Sequence, residues 1–296
     1  MEEKLKAELK IFKLKSLKEK LVIFGVIILI LAEIILIGSF LKKTLSSTIT
    51  TKPFVAVINI NKTITVDYIH FLIEKMEKLK KDKNCKEYLL VFNTPGGSSS
   101  ASDEFNAYLK HLNKIKKVNV YIESMAASGG YYIISAIKPI VANKNAIVGS
   151  IGVIMPHIVL EKLAKKIGIE EDDITIGKYK KVISYLKKAS EEEKKYIIDN
   201  LLTPIYENFL DVVAKDRNIS IDKLKKYADG KIFIATKVKG ILVDKVSTLI
   251  EHKEEIRKRV GKVEFVNIKL DDKKFPYLNI KLNSDLGEIL KDYLNR

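Results

Sequence analysis

The sequence predicts an α/β fold with a mostly parallel sheet and flanking helices, preceded by one N-terminal transmembrane helix. Two observations support this prediction. Strand-like and helix-like segments alternate from residue 54 onwards, as is typical of βαβ units. An apolar stretch with a single charge, Glu33, lies before them. We therefore divide the chain into a basic cytoplasmic N-terminus (1–20), a transmembrane helix (21–41), a linker (42–52), a main domain (53–250) and a charged C-terminal extension (251–296).

The apolar stretch 21–41 is long enough to cross a bilayer, because a helix of this length extends about 31 Å against a hydrocarbon core of about 30 Å. The end of the stretch with the two lysines after it, "LIGSFLKK", lacks the Ala-x-Ala-like exit of a cleaved signal peptide, which favours a retained anchor. Seven lysines precede the stretch. The positive-inside rule then predicts a single-pass protein of the cell membrane, with everything after residue 42 on the outer face.

The main domain begins with three strand–helix pairs. "FVAVINI" (54–60) predicts a strand, and the next segment (66–82) places apolar residues at helical spacing. "YLLVFNTPGG" predicts a strand that runs into a turn, and "SASDEFNAYLKHLNKI" a helix with a capping serine. "VNVYIES" predicts the third strand and "GGYYIISAI" a short apolar helix. The face predicted for the first helix carries Ile69, Leu72, Ile73, Met76 and Leu79.

The second half of the domain is predicted to be mainly helical. "IVANKNAIVGSIGVIM" predicts short extended segments, and a long helix with a serine cap follows from about residue 190, with Pro204 as a possible kink. "SIDKLKKYADG" predicts a capped short helix that ends at Gly230. The C-terminal extension carries one predicted strand (263–269) and a last helix (284–295).

Composition excludes several classes of protein. The net charge of +16 comes mostly from lysine, since the chain has only four arginines, and the lysines alternate with Glu and Asp. Nucleic-acid readers favour arginine, so we expect no nucleic-acid partner. The single cysteine, Cys85, excludes an intrachain disulfide and a cysteine-based metal site, and we predict that it is a buried thiol. No metal or nucleotide motif is present, so we expect no cofactor.

The stretch "ESMAASGGYYIISA" (123–136) places Ser128 between a predicted strand and a predicted helix. A small-Ser-small turn in this position exposes the nucleophile of several hydrolases, and free amides ahead of the helix favour an oxyanion. Turns that contain Ser-Gly-Gly are also common as simple connections between a strand and a helix, without a catalytic role. The stretch "NTPGGSSS" (93–100) raises the same two possibilities, an outward backbone amide or a turn before a helix cap. The residues alone leave both questions open.

A nucleophilic serine needs a base. The chain has four histidines, His70, His111, His157 and His252, and only His157 lies in a loop-like setting that favours it as a minor candidate. A lysine is the other possible base, but the abundance of lysine prevents a choice from proximity in the sequence.

Several segments, in order, resemble the protease IV family, the serine–lysine signal peptide peptidases. "MAASGGYYI" (125–133) is similar to the nucleophile motif of that family, and "NTPGGS" to its Asn-Ser-Pro-Gly-Gly strand end. "GSIGVI" (149–154) is nearly identical to a family segment, and "GKYKK" (177–181) resembles the base motif Gly-x-Tyr-Lys-Ser/Asp. "YADGKIF…GILVD" resembles a downstream segment. The resemblance covers residues 55–250 and indicates the short, single-unit form of peptidase family S49.

The resemblance implies a Clp-protease/crotonase-like fold and a serine peptidase domain over 53–250. It implies Ser128 as nucleophile and Lys180 as general base, with Ser150 accepting or relaying a hydrogen bond to the lysine. The amide of Gly97 or Gly96, together with that of Gly129, would face the oxyanion. It also implies a homo-oligomeric ring, in which serine and lysine can come from neighbouring subunits.

A lysine base requires a pKa near 7–8 rather than its ordinary value of about 10.4, and burial without a carboxylate partner produces such a shift. No Asp or Glu lies between Ile174 and Ala189, which meets that condition in the sequence. Lys181 stands where the family has Ser or Asp, so Lys178 and Lys181 remain minor alternatives. Ala235 replaces a frequent glycine, and the segment up to Gly240 is about one residue short, which affects only the expected local geometry.

The expected function is a membrane-anchored serine endopeptidase that degrades cleaved signal peptides and other short hydrophobic peptides through an acyl-enzyme. Three alternatives remain. The first is a protease with the same dyad that cleaves a stomatin-like membrane protein. The second is a crotonase-like acyl-CoA enzyme, which would need neither an anchor nor the Lys180 motif. The third is a non-catalytic membrane scaffold of the same fold, which would tolerate loss of Ser128.

Overall fold

The computed structural model describes residue 28, residues 30–36 and residues 52–270. The chain divides into two compact units, Met1–Thr51 and Lys52–Arg296. In the first unit the described residues are helical, and their apolar side chains are exposed. Among the described residues, no helix combines the length and the apolar character that a membrane crossing requires. Most of the predicted span and linker, and all of the predicted last helix, lie outside the described residues.

Within residues 52–270, the second unit is built on one sheet of eight strands in the order β6-β5-β3-β2-β1-β8, with β4 pairing with β3 and β7. Every strand pair is parallel except β5 with β6, which confirms the predicted α/β fold with a mostly parallel sheet. The strands are β1 (Phe54–Ile60), β2 (Cys85–Thr94), β3 (Val118–Ala127), β4 (Ile140–Ala142), β5 (Ile147–Gly149), β6 (Ile232–Ile234), β7 (Lys245–Val246) and β8 (Glu264–Asn267).

Helices flank this sheet. They are α1 (Val66–Lys80), α2 (Ser99–Ile115), α3 (Gly129–Ser135), α4 (Glu161–Lys166), α5 (Glu191–Ile197), α6 (Thr203–Arg217), α7 (Ile221–Lys225) and α8 (Leu249–Val260). A 3-10 turn covers Ala235–Val238, and a π-helical turn covers Ile198–Leu202. The predicted apolar face of α1 is confirmed, with Ile69, Leu72 and Met76 fully buried. Burial of each such side chain stabilises the fold by about 1.5–3 kcal/mol.

The core lies on both faces of the sheet. The larger cluster joins β1–β5 to α1, α2, α3 and α6, and the smaller one lies beneath Ile256 of α8. Cys85 is buried at the start of β2, as predicted. Because the strands are parallel, β2, β3 and β5 all end at the same edge, at Thr94, Ala127 and Gly149. This is the edge where open α/β sheets bind their ligands.

The predicted long helix from Ser190 is interrupted rather than kinked. Ser190 and Glu193 form a capping box at its start, which confirms the predicted serine cap. The chain then passes through the π-helical turn directly before Pro204. Proline has no N–H to donate to the preceding turn, so a local change of helical pitch is the expected response.

The sheet continues beyond the boundary drawn at residue 250. β8 pairs in parallel with β1, with Phe54 opposite Glu264, and α8 buries Ile256 and His252 against the sheet. The predicted strand over 263–269 is therefore present in slightly shorter form. Most of the charged side chains of α8 lie on its exposed surface. They do not prevent residues 251–267 from forming part of the second unit.

Candidate active site

Ser128 occupies the tight turn between β3 and α3. Its backbone adopts φ 50 and ψ −123, a left-handed conformation that is rare outside glycine and costs about 1–3 kcal/mol. Two hydrogen bonds hold the turn: the Ser128 N–H donates to the Gly149 carbonyl (2.9 Å), and the Tyr132 N–H donates to the Ser128 carbonyl (3.0 Å). Within the described residues, the half-buried hydroxyl has no recorded hydrogen-bond partner. The turn therefore presents a free hydroxyl at the carboxyl edge of the sheet.

The loop after β2 packs directly on this turn, which explains the glycines there. A Cβ on Gly96 would lie 2.6 Å from the Ala127 carbonyl oxygen and 2.9 Å from the Ser128 Cβ. A Cβ on Gly129 would collide with the Ser102 hydroxyl of α2. The loop that contains Gly96 and the turn that contains Gly129 thus pack against each other. A larger side chain at either glycine would displace Ser128.

Two backbone amides next to Ser128 are unoccupied in the described part of the chain. Gly129 is the first residue of α3, where a helical N–H has no partner within the helix. The Gly97 N–H has no recorded acceptor, and its nitrogen lies 3.3 Å from the Cβ position of Gly129. The Gly96 N–H donates instead to the Thr94 hydroxyl (3.2 Å). The geometry therefore favours Gly97 over Gly96 as the partner of Gly129 in an oxyanion site.

Residues that the sequence argument did not single out keep this loop in place. Thr94 is fully buried and donates its hydroxyl hydrogen to the Lys62 carbonyl (2.6 Å). The Ile64 N–H donates to the Gly96 carbonyl, and the Ser98 N–H donates to the Ile64 carbonyl (both 2.8 Å). Ser102 is also fully buried and donates to the Ser98 carbonyl (2.8 Å). In the sequence, only the presence of a threonine and a serine beside the glycine motif could have indicated these contacts.

Ser150 lies next to the Ser128 turn through the backbone. It follows Gly149, whose carbonyl accepts the Ser128 N–H, and it also adopts a left-handed conformation (φ 53). Its N–H donates to the Lys231 carbonyl (2.7 Å), which ties it to the start of the β6 region. Ser150 is half-buried.

A cavity of about 790 Å³ opens beside Ser128. Its walls come from the start of α2, from Ser128 and α3, from the loop after β5, and from the π-helical turn and α6. The lining residues are Gly97, Ser98, Ser99, Ser100, Ser102, Asp103, Ser128, Gly129, Tyr132, Gly152, Val153, Ile154, Met155, Leu201, Leu202, Ile205, Asn208, Phe209, Asp211 and Val212. Predicted site residues Ser128, Gly97 and Gly129 thus share one ligand-sized cavity.

Lys180 lies in a long, largely exposed segment between β5 and α5, residues 153–189, which we call the lysine arm. Its side chain is exposed and does not belong to the described lining of the Ser128 cavity. The structure therefore does not bring Lys180 and Ser128 together within one chain. Three of the most exposed apolar side chains of the described residues lie in the same arm, at Ile174 (98%), Ile176 (97%) and Ile154 (84%).

The residues on either side of Lys180 are held in place. Lys178 is ion-paired with Glu192 of α5, and Lys181 with Glu171 and Asp173. Hydrogen bonds to these carboxylates raise the pKa of Lys178 and of Lys181, which makes both poor bases. Tyr179 stacks on Tyr196 with ring centres 4.2 Å apart.

Among the described residues, the Lys180 ammonium itself has no recorded partner. Glu171, Asp173 and Glu192 are thus engaged by its neighbours Lys178 and Lys181.

No histidine lines the described cavity. His157 lies in the lysine arm, where its Nε2 is 2.8 Å from the Ser184 carbonyl oxygen. His70 and His111 are exposed on α1 and α2. His252 is buried against Tyr121, and burial lowers its pKa to about 4. Within the described residues, no group of three or more His, Cys, Asp or Glu side chains is arranged to hold a metal ion.

The sequence model of peptidase family S49 matches residues 110–262 of the chain. The match includes Ser128, Ser150 and Lys180 and begins after the Gly96–Gly97 motif. A Methanocaldococcus jannaschii protein that is named as a protease is 36% identical over 228 residues, which cover 74% of this chain and 73% of that relative.

Two further relatives match a shorter part of the chain. Protease 4 of Haemophilus influenzae is 32% identical over 178 residues, covering 60% of this chain and 29% of that protein. The chloroplastic serine protease SPPA of Arabidopsis thaliana is 32% identical over 162 residues, covering 55% of this chain and 24% of its own length. The chain therefore spans most of the Methanocaldococcus relative, but only about a quarter of the length of these two.

Proposed function

Because the chain belongs to peptidase family S49 and is a serine peptidase, we propose that it cleaves peptide bonds with Ser128 as nucleophile and Lys180 as general base. The observation that carries the proposal is the Ser128 turn. A strained serine between β3 and α3 has a free hydroxyl, with the unoccupied amides of Gly97 and Gly129 beside it. The order of strands and helices is compatible with the Clp-protease/crotonase-like fold that the sequence motifs imply.

The proposed reaction proceeds through an acyl-enzyme. The Ser128 Oγ attacks the peptide carbonyl carbon while its proton passes to the neutral Lys180 amine. The N–H groups of Gly97 and Gly129 donate to the negative oxygen of the tetrahedral intermediate. The C–N bond then breaks, and the lysine ammonium returns the proton to the departing amine. Water attacks the ester that remains, with the same lysine taking its proton. The bond between the acyl carbon and Ser128 Oγ then breaks, the lysine ammonium returns the proton to Oγ, and the acid product leaves. Ser150 is proposed to orient the lysine.

We place Lys180 at the Ser128 of a neighbouring subunit. Lys180 is exposed in the lysine arm and does not line the described cavity of its own chain. The lysine arm also exposes several large apolar side chains, and a patch of such side chains marks an interaction surface. A neighbouring copy that covers the arm would shield the amine from water, and such burial favours the neutral form that a base requires. A homo-oligomeric ring provides this arrangement, since head-to-tail contacts repeat around it.

The apolar stretch 21–41 supports a membrane anchor, with the peptidase domain on the outer face of the cell membrane. The proposed substrates are cleaved signal peptides and other short hydrophobic segments. The name of the Enterococcus faecium relative, a signal peptide peptidase SppA that is 36% identical over 179 residues, supports this choice. A stomatin-like membrane protein remains the alternative substrate.

Covalent labelling tests the nucleophile directly. The full chain is incubated with a fluorophosphonate, and the adduct is located by peptide mass analysis. We expect one phosphonylated residue, Ser128, because its hydroxyl is free and two unoccupied amides lie beside it. The Ser128→Ala variant should lose the adduct. An adduct on another serine, or equal labelling of Ser128→Ala, would overturn the assignment of Ser128 as the nucleophile.

The packing of Gly96 on the Ser128 turn gives a further prediction. Gly96→Ala should reduce kcat/KM by about a hundredfold or more, because its Cβ must push away the Ala127 carbonyl and the Ser128 side chain. Gly261→Ala is the matched control, since Gly261 has a similar positive φ (+94, against +98 for Gly96) but no atom within 4 Å of the added Cβ. Both variants carry the same kind of backbone strain of about 1 kcal/mol. Equal activities of the two folded variants, measured on one fluorogenic peptide, would contradict the proposed contact.

A further inference from the structure

The cavity beside Ser128 differs in charge from the rest of the chain. Lys and Arg outnumber Asp and Glu by 53 to 37 in the whole sequence, which has a net charge of +16. The described lining of the cavity nevertheless contains no lysine, arginine or histidine, and it contains two aspartates, Asp103 and Asp211. Substrates that enter this cavity therefore meet negative charge on a protein that is otherwise strongly basic.

The first carboxylate, Asp103, is held in a defined orientation. It lies in the first turns of α2, and its Oδ1 accepts a hydrogen bond from the Tyr132 hydroxyl of α3 (2.6 Å). Burial raises the pKa of Tyr132, as does its bond to Asp103, so the phenol remains a donor. Within the described residues, the other carboxylate oxygen of Asp103 has no recorded partner. It is free to accept from a ligand.

The second carboxylate, Asp211, lines the opposite wall of the cavity, on α6. It forms no hydrogen bond or ion pair with the described residues. Other aspartates of the same region are neutralised: Asp216 pairs with Lys110 (2.6 Å) and Asp244 with Arg217 (2.6 Å). Asp103 and Asp211, in contrast, have no cationic partner among the described residues. Since the chain has 49 lysines, the missing counter-ions are not explained by a shortage of cations.

The cavity wall near these carboxylates is apolar. It is formed by Leu202, Ile205, Phe209 and Val212 of the π-helical turn and α6. Lysine and arginine side chains pack their aliphatic part on such surfaces while the charged end reaches a polar group. An apolar peptide that carries one basic side chain would therefore satisfy both parts of the cavity, whereas a purely apolar peptide would cover the two carboxylates without a partner.

We propose that Asp103 and Asp211 make this cavity selective for apolar peptide segments that carry a lysine or arginine. The inference rests on the proposed function and narrows its substrate class. A preference for basic and apolar residues agrees with the composition of a secretory signal peptide, in which a positively charged start precedes the apolar run. The basic side chain would lie between α2 and α6, and the neighbouring apolar residues would lie along the α6 wall.

Peptide binding to the full-length Ser128→Ala protein tests the proposal without relying on cleavage. Three labelled leucine-rich peptides are compared by fluorescence anisotropy, with lysine, norleucine or glutamate at one internal position. We expect the lysine peptide to bind about fivefold more tightly than the norleucine peptide at low salt, the range expected from one or two partly exposed ion pairs. The preference should decrease as salt is added.

The carboxylates are then changed in the same Ser128→Ala background. Asp103→Asn with Asp211→Asn should bring the ratio of the lysine to norleucine dissociation constants close to one. Asp211→Lys should reverse the preference towards the glutamate peptide. Asp222→Asn, on α7 and outside the described cavity lining, is the matched control and should keep the original ratio. If the double variant fails to fold, the same ratio of dissociation constants is measured for Asp103→Asn and for Asp211→Asn separately.

Equal binding of the lysine and norleucine peptides by Ser128→Ala would overturn the proposal. A double variant that keeps the original ratio would also overturn it. If that variant changes only the size of the assembly, the carboxylates contact a neighbouring subunit instead. Failure of the proposed function is distinguishable, because the parent protein would then cleave none of the peptides while the binding preference of Ser128→Ala persists.

Discussion

Ser128→Ala is expected to reduce kcat/KM for a peptide substrate by at least about a thousandfold, because it removes the hydroxyl proposed to form the acyl-enzyme. Such a loss corresponds to about 4 kcal/mol of transition-state stabilisation. The fold should persist, since alanine keeps the backbone hydrogen bonds from the Ser128 N–H to Gly149 and from Tyr132 to the Ser128 carbonyl. Cleavage of a fluorogenic peptide measures the first expectation, and circular dichroism with thermal unfolding measures the second.

The matched control is Ser247→Ala, which removes a hydroxyl bonded to Glu251, outside the described cavity lining. It should retain normal activity. Three serines of the α2 start also line the cavity, at Ser98, Ser99 and Ser100. Substantial cleavage by Ser128→Ala would mean that one of these, or a contaminating enzyme, carries the reaction. Loss of the activity in Ser128→Ala together with normal activity in Ser247→Ala excludes both possibilities.

Lys180→Ala is expected to cause a loss of similar size, because the serine hydroxyl is a weak nucleophile without a base. The neighbouring lysines cannot replace it, since Lys178 and Lys181 are ion-paired. Lys225→Ala on exposed α7 is the control for loss of one positive charge and should behave as the parent protein. Full activity of Lys180→Ala, measured on the same peptide, would reject it as the base.

Mixing the two inactive variants tests which subunit supplies the lysine. If Ser128→Ala and Lys180→Ala proteins are unfolded together and reassembled, a neighbour-supplied site forms wherever an intact serine meets an intact lysine. In a randomly mixed ring this restores about a quarter of the sites. A lysine that serves its own chain restores none. Absence of recovery in assemblies shown by mass to be mixed would contradict the placement of Lys180 at a neighbouring Ser128.

Much of the fold follows from local patterns in the sequence. The apolar spacing of α1, the serine cap of the helix at Ser190 and the alternation of strands with helices depend on residues close together in the chain. The contribution of residues 251–267 to the sheet was less evident. Their charge is high, and the pairing of β8 with β1 joins segments that are far apart in the sequence.

The tight turn at Ser128 and its glycines were predictable because their constraint is local. A serine at a left-handed φ between a strand and a helix needs small neighbours, and those neighbours adjoin it in the sequence. The choice between Gly96 and Gly97 was not predictable, because it depends on the hydrogen bond from the Gly96 N–H to the Thr94 hydroxyl. Asp103 and Asp211 were not found either, since only packing of α2 and α6 brings them to one cavity.

The conformation of Ser128 also bears on how this protein would respond to laboratory evolution. At φ 50 a glycine fits without the strain that the serine imposes, so Ser128→Gly should gain stability as it loses the nucleophile. A library screened only for heat resistance would therefore enrich inactive molecules at this position. Thermostable versions of the protein must be selected for turnover and heat resistance together.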